Sequence, residues 1–115
     1  MEVGIDIEQN ERFKTVSKKF IERAFTKNEI AYASKFENSY QNFCAFWCVK
    51  EAVVKAFSNR KLCFQDIEIS CTEEGRPFIV LNEVIKNELQ KANAKEIKIS
   101  ISHTKDYSTA ICIIN

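Results

Sequence analysis

The chain has 115 residues, room for one domain of ordinary size and too little for two separately buried cores. Hydrophobic residues at 45%, charged residues at 29%, two Gly and one Pro exclude collagen-like and low-complexity sequence and predict a folded chain. With 17 Lys+Arg against 16 Asp+Glu the net charge is +1, so no global field directs the protein onto nucleic acid or anionic lipid, and any basic function is a local patch.

Residues 2–8 alternate with period 2, Val3, Ile5 and Ile7 against Gly4 and Asp6, which predicts a short strand whose acid lies opposite its apolar core face. Residues 9–24 are helical by pattern. A shorter helix starts at Thr26, where Glu29 three residues on makes a capping box. Residues 38–42 read as a loop and 43–57 as a long helix. Strands over 66–71 and 77–81 flank a turn marked by Gly75-Arg76-Pro77. A helix over 82–92 follows. Ile97, Ile99 and Ile101 then alternate against Lys98, Ser100 and Ser102, and a last strand covers 108–114, the two joined by a hairpin loop at 103–107. The order predicts one α+β domain over 1–115, a small antiparallel or mixed sheet packed on a long central helix.

The five cysteines, Cys44, Cys48, Cys63, Cys71 and Cys112, are an odd number with no secretory leader pattern before them, and read as small, reduced core residues of a cytoplasmic protein. No apolar run reaches the roughly 20 residues that span a bilayer.

The long helix has almost no polar side. Phe43, Phe46, Trp47, Val49, Val53, Val54 and Phe57 fill a broad arc that Lys50 interrupts, while Glu51 and Lys55 lie together beside Cys44 and Cys48. Charges on a buried helix need partners. Glu51 and Lys55 form either an ordinary i,i+4 pair or, with Asp6, part of a site: two carboxylates from distant segments suit a Mg²⁺ that shares substrate phosphates. His103, the only histidine, stands where a strand meets a loop among Ser100, Ser102 and Thr104. It is structural, or with Lys105 it handles phosphate oxygens or a proton. Projected at helical period over 9–24, Arg12, Lys19 and Arg23 fall within about 40° of one another, a basic seam suited to an acidic helix.

Four stretches in chain order, GIDIEQNERF at 4–13, FTKNE at 25–29, FWCVKEAVVKAF at 46–57 and ISISHTKDYSTAICII at 99–114, resemble the holo-acyl carrier protein synthases. FQDIEI at 64–69 and GRP at 75–77 match connecting segments. The resemblance implies the 4′-phosphopantetheinyl transferase fold, a homotrimer with each active site between subunits, and transfer of 4′-phosphopantetheine from coenzyme A to a serine of apo acyl carrier protein in fatty acid biosynthesis. It assigns Asp6 and Glu51 as Mg²⁺ ligands, and Lys55 and His103 as catalytic residues beside the phosphates. Lys50, Ser102 and Thr104 join Lys55 and His103 as coenzyme A contacts, with the role of Lys50 open between substrate contact and buttress. Arg12, with Lys19 and Arg23, docks the carrier. The proton of the attacking serine goes to Glu51, to a water on the metal or to His103.

Two departures from the family pattern stand out. Phe46 occupies the position of an arginine that contacts coenzyme A phosphate, leaving Arg60, Lys61 or a neighbouring subunit as substitutes. Ser58-Asn59-Arg60-Lys61 replaces a Gly-rich loop. Both motivate an alternative: a non-catalytic module that binds coenzyme A or carrier protein.

Overall fold

The computed structural model describes residues 1–115. Five strands and four α-helices follow one another as β1 (Glu2–Gln9), α1 (Lys18–Ala24), α2 (Lys27–Ala33), α3 (Ser39–Phe57), β2 (Ile69–Cys71), β3 (Pro77–Ile79), α4 (Glu83–Lys91), β4 (Ile97–His103) and β5 (Tyr107–Ile114). The main sheet is antiparallel in the order β1-β5-β4, with Asp6 opposite Ala110 and Ala110 opposite Ile101. A separate hairpin pairs β2 with β3. The α+β expectation stands. One continuous cluster of 21 buried residues runs from Phe13 through α3 to Ile85 of α4 and Ile79 of β3, so helices and both sheets share a core.

The capping box forms as read: Thr26 Oγ1 accepts from Glu29 N at 3.2 Å and the Glu29 carboxylate accepts from Thr26 N at 2.8 Å. The helix expected over 9–24 is broken. Asn10–Lys14 is a 3-10 turn, and Ser17 starts α1 afresh by accepting from Phe20 N at 3.0 Å. The side chain of Ser17 offers the backbone a new start where the periodicity alone suggested continuation. In turn α3 begins at Ser39 rather than Phe43, because its polar first turn looks like a loop by composition. The β2–β3 strands are shorter than expected, with residues 64–66 in a 3-10 turn.

The largest correction concerns the faces of β1. Gly4 is buried and Asp6 half-buried toward α3, whereas Val3, Ile5 and Ile7 are 59%, 62% and 64% exposed. The cause is Gly4: a Cβ there would overlap the Ala52 carbonyl oxygen and lie 2.7 Å from Ala56 N, so this is where the α3 backbone rests on the strand. Small residues therefore face the helix, Ser108, Ala110 and Cys112 from β5 among them, and the branched apolar residues face away. Cys44, Cys48 and Cys112 are buried as expected, but Cys63 is exposed and Cys71 half-buried. All five are free thiols. No helix is long and apolar enough to cross a membrane.

Candidate active site

The close seat of α3 on β1 brings Asp6, Glu51 and Lys55 together. Lys55, one helical turn after Glu51, donates through Nζ to Asp6 Oδ1 at 3.0 Å and to the Ile5 carbonyl at 2.9 Å. Glu51 is half-buried. Burial pushes its carboxyl up and the Asp6 charge pushes it further, against the pull of Lys55 and Arg12. Two carboxylates in one field, with a single ammonium at hydrogen-bond distance, are an oxygen-only donor set that suits a hard divalent cation. No three His, Cys, Asp or Glu side chains converge anywhere in the chain. Beside the pair, an open cavity of about 630 Å³ is lined by Glu51, Lys55 and Arg60 among others, so one of the cations named as a substitute for the missing arginine stands at this site.

His103 does not join them. It lies on the far strand, opposite Ser108, which is itself opposite Glu8, so two inter-strand spacings of about 4.8 Å separate it from β1. It lines a different cavity, of about 300 Å³, with Tyr32, Gln41, Asn42 and Phe46. Phe46 is buried and stacks on Tyr32 at 5.9 Å, forming an uncharged wall where the family pattern has a cation.

The other expected coenzyme A contacts are spread over the core, the sheet and the hairpin loop. Lys50 is fully buried. Its Nζ donates to Glu29 Oε1 at 2.7 Å and to the Phe64 carbonyl at 2.8 Å, which makes it a buttress and removes it from the substrate surface. Its burial lowers the ammonium against the pull of Glu29. Ser102 pairs with Thr109, one step along β4 from His103, and strand alternation turns it to the opposite face of the sheet. Thr104 Oγ1 accepts from Asp106 N at 3.2 Å and Tyr107 N at 3.0 Å, closing the hairpin.

The basic seam also loses its geometric basis, because the break at residues 15–17 removes the continuous helix over which Arg12, Lys19 and Arg23 were aligned. All three remain exposed. Arg12 donates to Glu8 Oε2 at 2.6 Å and lies over the rings of Trp47, 5.3 Å, and Phe13, 5.6 Å. Sequence reasoning missed Asn10. This buried amide donates to the carbonyls of Thr104 and Lys105 at 3.1 and 3.0 Å and accepts from Ser108 Oγ at 2.6 Å, fastening the β4–β5 loop to the end of β1. Its only signal was a polar residue within the GIDIEQNERF stretch.

The fold is α+β, and its central helix sets a carboxylate and a lysine against an acid of the first strand. Residues 2–112 match the profile of the 4′-phosphopantetheinyl transferase superfamily, and the chain belongs to that family. It is 39% identical to the holo-[acyl-carrier-protein] synthase of Caldanaerobacter subterraneus subsp. tengcongensis, over 96% of this chain and 91% of that one. It is 36% identical to the fatty acid synthase subunit alpha of Lachancea kluyveri over 96% of this chain, spanning 6% of that much longer protein. Among solved structures, the Helicobacter pylori holo-[acyl-carrier-protein] synthase in complex with coenzyme A superposes with a TM-score of 0.83 at 29% identity, covering 98% of this chain and 99% of that one.

Proposed function

We propose that the protein is a phosphopantetheinyl transferase that moves the 4′-phosphopantetheine group from coenzyme A to a serine of apo acyl carrier protein and releases adenosine 3′,5′-bisphosphate. The serine oxygen forms a bond to the β-phosphorus while the bond from that phosphorus to the bridging oxygen breaks, and the bisphosphate keeps the bond's electron pair. The observation that carries the reading is the Asp6–Lys55–Glu51 cluster beside an open cavity that Arg60 also lines. Fatty acid biosynthesis is the process it would serve, as the likeness to a fatty acid synthase subunit supports.

Asp6 and Glu51 would hold Mg²⁺, a cation that would offset both the burial and the Asp6 charge that raise the Glu51 carboxyl. Bound there, the ion would neutralise diphosphate charge as it grows on the leaving group. Lys55, now spent on Asp6, would exchange that partner for a phosphate oxygen. Glu51 and His103 are the side chains able to accept the serine proton.

Because His103 lies away from the acids within one chain, the reading needs a neighbouring copy to complete the site. The outward face of the main sheet supplies a surface for it: Val3, Ile5 and Ile7 stand exposed opposite Ile113, Ile111 and Thr109. A contiguous apolar face of this kind marks an interface between copies, and the family resemblance makes a trimer the expected assembly. The single test is to incubate the purified protein with coenzyme A, Mg²⁺ and apo carrier protein and to weigh the carrier. A gain of one phosphopantetheinyl mass is expected; binding without gain would favour the non-catalytic module.

A further inference from the structure

Glu8 is absent from every role above, yet it has a fixed place. It follows Asp6 by two residues on β1, so both face α3, and its backbone carbonyl accepts from the Cys44 thiol at 3.8 Å. Its carboxylate is held at both oxygens: Oε1 accepts from Gln9 N at 3.1 Å, and Oε2 accepts from Arg12 Nη1 at 2.6 Å. The Arg12 guanidinium, which lies over Trp47 and Phe13, therefore already has a carboxylate partner from its own chain. Its side chain is still 47% exposed, against 26% for Glu8, so a second acid can reach it from outside.

We propose that Glu8 is a built-in competitor for Arg12 that weakens the docking of an acidic carrier protein. The inference rests on the reading of Arg12 as a carrier-docking residue. Glu8 neutralises the guanidinium and repels any carboxylate brought beside it, so a partner acid must displace or share an existing ion pair. A half-exposed pair of this geometry corresponds to a modest factor, about two- to five-fold in affinity. That is enough to hasten release of the modified carrier without abolishing capture. Glu8 would thus set how tightly carrier protein is held, separately from coenzyme A.

The test is direct binding of fluorescently labelled apo acyl carrier protein to the full chain, by anisotropy, with no coenzyme A present. Glu8→Gln keeps a hydrogen-bond acceptor and removes the charge, and Glu8→Ala removes both. Each is expected to bind about two- to five-fold more tightly than wild type. Arg12→Ala should bind about ten-fold more weakly, and adding Glu8→Gln to it should restore nothing, because the competitor then has nothing to compete for. If Arg12→Ala binds like wild type, the docking assignment fails and the inference with it. If Arg12→Ala weakens binding but Glu8→Gln does not strengthen it, the docking assignment stands and the competition is overturned. Weaker binding by Glu8→Ala alone would make Glu8 a positioner of the guanidinium instead. A gain from Glu8→Gln that persists without Arg12 would trace the effect to net charge and also overturn the proposal.

Discussion

Lys50 and Glu51 are neighbours in sequence with opposite fates, because a step of 100° around α3 separates the core from the cavity. The Lys50–Glu29 pair is wholly buried, and the Glu29 carboxylate also accepts from Ile69 N at 2.7 Å, so one ion pair joins α2, α3 and β2. Replacing Lys50 by Met leaves the Glu29 charge buried without its counter-ion, a loss of about 3–5 kcal/mol. Chemical denaturation should show that loss, while the KM for coenzyme A of the folded fraction stays at the wild-type value; a raised KM would return Lys50 to the substrate surface. A second buried acid, Glu88 on α4, accepts from Asn59 Nδ2 at 2.9 Å and Lys91 Nζ at 3.1 Å, and these bonds hold its carboxyl below the usual range. A carboxyl depressed in the folded state stabilises it above the unfolded value, about pH 4.3, and that stabilisation is lost as pH falls through the folded value. Glu88→Gln should therefore lower the melting temperature at pH 7 and flatten its decline as pH falls below about 4.3. An unchanged acid limb would show that these bonds do not favour the ionised form.

At the scale of elements, local chemistry was legible and facing was not. The Thr26–Glu29 box was readable because its bonds span three residues, and the β4–β5 hairpin because both strands alternate. The break at residues 15–17 was hidden because Phe13 and Phe20 keep helical spacing across it and still pack together, with ring centroids 6.0 Å apart. The face of β1 was misread for a deeper reason: period 2 shows that the two sides differ without saying which is buried. The deciding contact is Gly4 against the backbone of Ala52 and Ala56, information that resides in tertiary approach. Gly4→Ala forces α3 off the strand and should cost about 1–3 kcal/mol by overpacking. Since α3 carries Glu51 and Lys55, turnover should fall by more than the folded fraction does; circular dichroism and carrier mass measured on the same sample separate the two. Full turnover in a well-folded Gly4→Ala protein would show that the close seat is not what aligns the acids.

For the whole molecule, the proposed reading completes the candidate site only across copies, and a meeting between chains leaves no periodicity or spacing in one sequence. Asp6, Glu51 and Lys55 come together inside one chain because β1 and α3 pack directly, whereas His103 sits two strands away over a separate cavity. If Val3, Ile5 and Ile7 seal against neighbouring copies, Ile5→Glu places a carboxylate in that face and should convert the assembly to monomers of lower activity, read by light scattering and by carrier mass. The sharper consequence concerns mixing. Glu51→Gln and His103→Ala should each be nearly inactive alone. Unfolded together and refolded at equal amounts, they form sites in which the acid half comes from one subunit and the histidine from the next. Random assembly then leaves about a quarter of the sites with both halves intact, so activity should rise to about a quarter of wild type. If the acids and the histidine instead served one chain's own site, no mixture would recover activity, because every chain carries one lesion. A mixture that stays at the level of its parents, while remaining trimeric, would overturn the shared-site reading and assign the acids and His103 to one chain's own site.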